Sequence, residues 1–144
     1  MGHTYAKILI HCIFSTKERR PLISPDRRNA LFAYLRAIAQ GEGFRIIEAG
    51  GTADHLHLLL QLPAQCPLAQ AIQKLKGGSS RWMGLDFAWQ QGYGAFSVSP
   101  SQLAVVRRYI RNQEAHHRKR NFEQEFLTLL RHSGLEYDQR YALG

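Results

Sequence analysis

The run Asp54-His55-Leu56-His57-Leu58-Leu59-Leu60 constrains this chain more than any other stretch. Read as a strand, its period-two alternation sends His55, His57 and Leu59 to one face and Leu56, Leu58 and Leu60 to the other. Two imidazoles then project side by side from a strand whose opposite face is apolar. A second stretch, Tyr109-Ile110-Arg111-Asn112-Gln113, gains meaning beside it. If it is helical, Tyr109 and Gln113 are one turn apart on a shared face. A metal site on a strand and a nucleophile on a helix is the reading to test.

The flanking pattern supplies the rest of a fold. Residues 7–14 are nearly all apolar and rich in β-branched side chains, as in a buried strand. A basic loop, 15–21, follows. Ser24-Pro25-Asp26 is a helix start, and Leu31, Leu35, Ile38 and Ala39 recur at helical spacing, so the pattern predicts a helix over 25–40, ended by Gly41 and Gly43. Residues 44–49 and 54–62 read as strands of an antiparallel hairpin across Gly50-Gly51-Thr52. Pro67 opens a second helix carrying Leu68, Ile72, Leu75, Trp82 and Met83, in which Gly77-Gly78-Ser79-Ser80 marks a kink or break. Residues 87–98 read as a fourth strand, bulged or interrupted near Gly92-Tyr93-Gly94. A third helix runs from Ser99-Pro100-Ser101 to about 117, with Leu103, Val106 and Ile110 as its apolar stripe and His116 and His117 extending the side of Tyr109 and Gln113. A fourth, 122–132, carries Phe122, Phe126, Leu129 and Leu130. The last dozen residues read as a mobile or partner-docked tail.

This order implies an α+β protein with a ferredoxin-like βαββαβ antiparallel sheet. Helices cover one face, and additional C-terminal helices carry the tyrosine. The length suits one domain over 1–144: a core of about 4–98, a tyrosine helix of about 101–118, and a C-terminal helix and tail over 121–144.

Charge points to the partner. Nineteen Lys and Arg against eleven Asp and Glu give a formal +8, and the sequence pI is near 9.9. That balance favours a polyanion, nucleic acid before an anionic membrane surface. The cations cluster at Lys17, Arg19 and Arg20 and again at Arg107, Arg108, Arg111, Arg118, Lys119 and Arg120, where Glu114 is the only acid. A basic helix with a tyrosine in its middle can lie along a phosphate backbone. Lys74, Lys76 and Arg81 on the second helix are further candidates, each equally readable as a solubilising charge. Trp82, Trp89, Tyr93 and Phe96 suit base stacking or core packing. Cys12 and Cys66 form no CxxC pair, which argues against a disulfide framework or a thiolate zinc site and fits a reducing compartment. No signal-peptide pattern and no membrane-length apolar run are present, so no membrane partner and a cytoplasmic location are expected.

Each site residue also has a plainer reading. His55 and His57 can be hydrogen-bonded core residues. Asp54 can be a strand-initial turn residue, a ligand, or a partner that orients a ring. Tyr109 can be a half-buried phenol bonded to Gln113.

Taken together, the residues resemble the IS200/IS605 insertion-sequence transposases, members of the single-tyrosine HUH nucleases. His55-Leu56-His57 matches the histidine–hydrophobe–histidine motif in an Asp-His-x-His-Leu-Leu context, and Tyr109 through Gln113 matches the tyrosine motif. The likeness extends over nearly the whole chain, from Phe14-Ser15-Thr16-Lys17 through residues 90–98 to the tail 136–141.

The resemblance implies that His55 and His57 bind a divalent ion, with Gln113 as third ligand through its amide oxygen, and that Tyr109 is the nucleophile. It implies a homodimer that cuts and rejoins single-stranded DNA beside hairpins at element ends, with an active site that can be shared between subunits. Three neutral ligands leave positions open for water and a phosphate oxygen, which suits Mg²⁺ or Mn²⁺. Attack by Tyr109 gives a 5′-phosphotyrosine. A phenol has a pKa near 10, so ionisation needs help, and no dedicated general base is evident in the sequence. Two other readings remain: a domesticated relative that processes repeat hairpins, and a non-catalytic hairpin or single-strand nucleic-acid-binding domain.

Overall fold

In the computed structural model, which describes residues 2–117 and 121–136, four strands form one antiparallel sheet in the order β2-β3-β1-β4. They are β1 (Ile8–Ser15), β2 (Arg45–Gly51), β3 (His55–Leu62) and β4 (Gly94–Ser97). Helices α1 (Pro25–Gly41) and α2 (Leu68–Met83) complete the βαββαβ order. Then come α3 (Leu103–Arg111), α4 (Gln113–His117) and α5 (Phe122–His132). The ferredoxin-like arrangement read from the sequence is the one observed.

The alternation along β3 separates two interiors. Leu56, Leu58 and Leu60 enter the main core with Cys12, Phe14, Leu31, Leu35, Ile72 and Leu75, under α1 and α2. Burying each such leucine is worth about 1.5–3 kcal/mol, so this face sets the register of the sheet. On the other face a smaller cluster of Ile13, Phe122, Phe126, Leu127 and Leu130 seats α5, while α3 packs on β2 and β3. The histidine face of β3 therefore lies between the sheet and the C-terminal helices.

Three local expectations change. First, Gly77-Gly78-Ser79-Ser80 does not break α2. A Cβ on Gly78 would stand 2.6 Å from Ile38 Cδ1 of α1, so this glycine serves close helix packing. Ser79 accepts from Trp89 Nε1 at 2.9 Å and donates to the Leu75 carbonyl at 2.6 Å, which fixes the other polar member. Second, the fourth strand is short, beginning only at Gly94, although the interruption expected near Gly92-Tyr93-Gly94 is present. Upstream of Gly94 only Trp89 bridges to Thr16. The irregular stretch is held by side chains: Gln90 Oε1 accepts from the Ser15 backbone at 2.6 Å, and Lys76 Nζ donates to the Gln90 carbonyl at 3.0 Å. Trp89 packs edge-on against Phe14 and Phe87, and Trp82 stacks on Tyr34. Third, the helix expected to run to about 117 is interrupted at Asn112, whose φ of −101° and ψ of 31° are not helical. Within α3 only Ile110 of the expected stripe is fully buried, Leu103 and Val106 being half-buried.

Burial raises the Cys12 thiol to about 12, which removes it from nucleophilic chemistry. Among the described residues no helix is long and apolar enough to cross a membrane.

The glycine pair in α2 gives a direct test. Gly78→Val should lower the unfolding free energy by about 1–3 kcal/mol through overpacking against Ile38. Gly77→Ala, whose Cβ would meet nothing closer than Arg81 at 3.6 Å, should leave it unchanged or raise it by about 0.5–1 kcal/mol. Urea titration of both variants decides between contact and kink.

Candidate metal and nucleophile site

His55 and His57 are fully buried on the face of β3 that the alternation predicts. Both turn Nε2 toward the same point. His55 Nε2 lies 3.3 Å from Gln113 Oε1 and 3.7 Å from Glu125 Oε1. His57 Nε2 lies 2.8 Å from the same Glu125 oxygen. Their other ring nitrogens are engaged away from this point. His55 Nδ1 sits 2.8 Å from Asp54 Oδ1 and 2.9 Å from Thr52 Oγ1, so of the readings for Asp54 the geometry matches a partner that orients a ring. His57 Nδ1 sits 2.8 Å from His11 Nε2.

Tyr109 arrives on α3. Its hydroxyl donates to Glu125 Oε2, and its ring meets His57 edge-on at 5.7 Å between centroids. The helix can come this close because Gly50 lies under it. Gly50 pairs with His57 across the β2–β3 ladder, and a Cβ there would collide with the Ile110 carbonyl. The interruption at Asn112 puts Tyr109 and Gln113 on two helices. They still meet, because Gln113 Nε2 donates to the Tyr109 carbonyl at 3.2 Å, which aims Oε1 at His55.

Two residues of this cluster were not singled out in the sequence. Glu125 is only 2% exposed, on the inward stripe of α5 between Phe122 and Phe126. An acid on an apolar helical stripe was the available signal, but only the tertiary contact shows what it faces. It also supplies the carboxylate beside the phenol that the sequence did not reveal. The start of α5 is fixed by a capping box, Asn121 Oδ1 accepting from the Gln124 backbone at 2.8 Å and Gln124 Oε1 from that of Asn121 at 3.0 Å. Phe122 packs on His55 at 4.8 Å. His11 is the second. It interrupts the apolar run of β1 and pairs with Leu59, which puts it on the histidine face. Burial first, then His57, lowers its pKa to about 3 against an opposing pull from Glu125, so it is neutral at pH 7.

The donor atoms of His55, His57 and Glu125 lie within 4.8 Å of one another, and Gln113 Oε1 borders them. Two imidazoles, a carboxylate and an amide oxygen form a mixed N/O set of the kind that takes a divalent ion. The basic candidates lie outside this cluster. Lys17 and Arg20 are exposed on the loop after β1. Arg19 pairs with Glu123 at 3.3 Å. Arg107 and Arg111 share Glu48 at 3.2 and 3.1 Å, and Arg108 is exposed. Arg118 and the tail from 137 onward fall outside the described residues.

The model of a family described as "Transposase IS200 like" matches residues 4–113. The transposase for insertion sequence element IS200 of Salmonella typhimurium is 29% identical over 124 residues, which span 78% of this chain and 81% of the relative. The ISDra2 transposase TnpA of Deinococcus radiodurans is 28% identical over 123 residues, spanning 78% and 87%. A crystal structure described as a transposase from Deinococcus radiodurans superposes with a TM-score of 0.62 at 28% identity, covering 78% of this chain and 96% of that one. A REP-associated tyrosine transposase bound to a REP hairpin shares the fold, with a TM-score of 0.65 at 16% identity over 81% and 73% of the two chains. Glu125 and α5 lie beyond the matched residues 4–113.

The seat of α3 on Gly50 is open to test. Gly50→Ala should cost about 1–3 kcal/mol of stability by overpacking and should weaken any Mn²⁺ binding at this cluster as Gln113 moves with the helix. An alanine variant that binds and unfolds like wild type would show that α3 does not need this glycine.

Proposed function

Because the chain belongs to the IS200-like transposase family, we propose that it cuts and rejoins single-stranded DNA beside hairpins, using Tyr109 as nucleophile and a divalent ion, Mg²⁺ or Mn²⁺, as cofactor. The observation that carries this reading is the convergence of the Tyr109 hydroxyl, two imidazole Nε2 atoms, the Gln113 amide and the Glu125 carboxylate in one buried cluster.

His55 and His57 would hold the ion through Nε2, and Gln113 and Glu125 would hold it through their Oε1 atoms. When bound, the ion draws charge from a non-bridging phosphate oxygen and so favours attack. Tyr109 attacks phosphorus and its proton passes to Glu125 Oε2, which already accepts its hydrogen bond. The bond from phosphorus to the 3′ oxygen breaks, that oxygen takes a proton from water, and the 5′ phosphate stays on Tyr109. The phosphotyrosine keeps the energy of the broken diester, so a 3′-hydroxyl can reverse the step without ATP. Two imidazoles held beside a phenol by four separate elements favour a catalytic site over a module that only binds nucleic acid.

The +8 charge favours a nucleic-acid partner. The loop cations Lys17, Arg19 and Arg20 and the helix cations Arg107, Arg108 and Arg111, continued in sequence by Arg118, are the proposed DNA contacts. The hairpin bound by the REP-associated structure supports the same partner and a second reading, a repeat-hairpin-processing enzyme with identical chemistry. The proposed homodimer needs no exchange of the tyrosine helix, since Tyr109 and Gln113 reach the histidines of their own chain.

A labelled hairpin oligonucleotide with a single-stranded flank and Mn²⁺ should give a covalent protein–DNA adduct on a denaturing gel. Tyr109→Phe and chelation of the ion should each abolish it. An adduct that survives Tyr109→Phe sinks the nucleophile assignment. Subunit mixing addresses the arrangement: Tyr109→Phe mixed with His57→Ala should stay inactive, because neither chain has a complete site. Recovery of activity in the mixture would mean that the tyrosine serves the partner's histidines.

A further inference from the structure

The two histidines of β3 are held in different ways. His55 has Asp54 and Thr52 at Nδ1, an oxygen pair that engages that nitrogen and turns Nε2 toward Gln113 and Glu125. His57 has at Nδ1 the ring nitrogen of another histidine, 2.8 Å away on the neighbouring strand. We propose that His11 is the positioning residue of this centre: its Nε2 accepts the Nδ1–H of His57, fixes that ring, and turns His57 Nε2 toward Glu125 Oε1, where the ion would sit. This rests on the ion-binding reading above and adds to it a residue that touches neither ion nor DNA.

A metal-bound imidazole generally needs its second nitrogen tied to an acceptor, which sets the tautomer and raises the basicity of the ligating atom. His11 can be that acceptor because its Nε2 lies 2.8 Å from His57 Nδ1. Its ring is held in place from the sides. His57 stacks on it with centroids 5.0 Å apart, and Phe96 and Tyr109 each meet it edge-on at 6.2 Å. The charged and titratable groups facing it are thus His57, Tyr109 and, beyond His57, Glu125. β1 and β3 are adjacent antiparallel strands, so the spacing between the two rings is set by the ladder, with Ile13 opposite His57 and His11 opposite Leu59.

An imidazole in this place can do what the carboxylate beside His55 cannot. Without an ion, His57 Nε2–H donates to Glu125 Oε1, and Nδ1 accepts from His11 Nε2–H. With Nε2 on an ion, the His57 proton sits on Nδ1 and points at His11 Nε2, while the His11 proton sits on its own Nδ1. Each ring holds one proton in both states, and only its position differs. A side chain able both to donate and to accept is required, which histidine and a primary amide satisfy and a hydrocarbon does not.

The test compares Mn²⁺ affinity, by titration of the full chain without DNA, in wild type, His11→Leu and His11→Gln. His11→Leu should bind the ion about 10–100-fold more weakly, the range expected on losing a partner of a ligating histidine, and His11→Gln should return to within about threefold of wild type. Thermal unfolding of the ion-free proteins confirms that both variants fold; if the leucine variant does not, His11→Met replaces it. Leucine and wild-type proteins of equal affinity would overturn the role of His11, as would a folded glutamine variant no better than leucine. A wild type that binds no Mn²⁺, or binds it equally well as His57→Ala, would instead overturn the ion-binding reading itself.

Discussion

Glu125 makes the contact on which the geometry of the site depends. One carboxylate oxygen faces both imidazoles of β3, and the other accepts from the hydroxyl of Tyr109. A buried carboxylate is costly unless its oxygens are satisfied, and breaking such a cluster by removing one member leaves the others unpaired. His11, His55, His57, Gln113, Tyr109 and Glu125 therefore define one another's positions. Five elements of the fold, β1, β3, α3, α4 and α5, are tied at this point, although the apolar contact on this side of the sheet is modest. Under the proposed function, all of these groups except His11 are the ones an ion and a phosphate would use.

That polar cluster needs the C-terminal helices close to the sheet, which two glycines provide. Gly50 admits the Ile110 carbonyl of α3 beside His57. Gly94 admits the Phe126 ring of α5, where a Cβ would stand 2.6 Å away. Gly78 lets α2 meet α1 on the opposite face. In each case any side chain would hold apart two elements, two of them in the layer that carries the site. The sheet is thus a template whose smooth places decide where helices sit.

Charge is distributed by the same logic. Glu48 gathers Arg107 and Arg111 on one side of α3, and Glu123 takes Arg19 at the start of α5. Exposed pairs of this kind add little stability and are screened by salt. They pair cations near the site with acids at the surface, while the buried acid, Glu125, faces the imidazoles and the phenol.

The sequence alone determined the order of strands and helices along the chain and the faces of β3, because period-two alternation and turn residues are local properties of the chain. It also nominated His55, His57, Tyr109, Gln113 and Asp54, since spacing along a strand or helix tells which side chains point together. It misjudged the glycine run in α2, the length of β4 and the continuity of the tyrosine helix. In the first two, the contact with Ile38 and the side-chain hydrogen bonds of Gln90 and Lys76 override local preference. It could not reveal His11 and Glu125 as members of the site. Their partners lie 46 and 68 residues away in the chain, and a buried polar residue announces its role only when a distant element folds against it. Which residues share a face is written in the period of one segment; which faces meet is decided only by the packing of all of them.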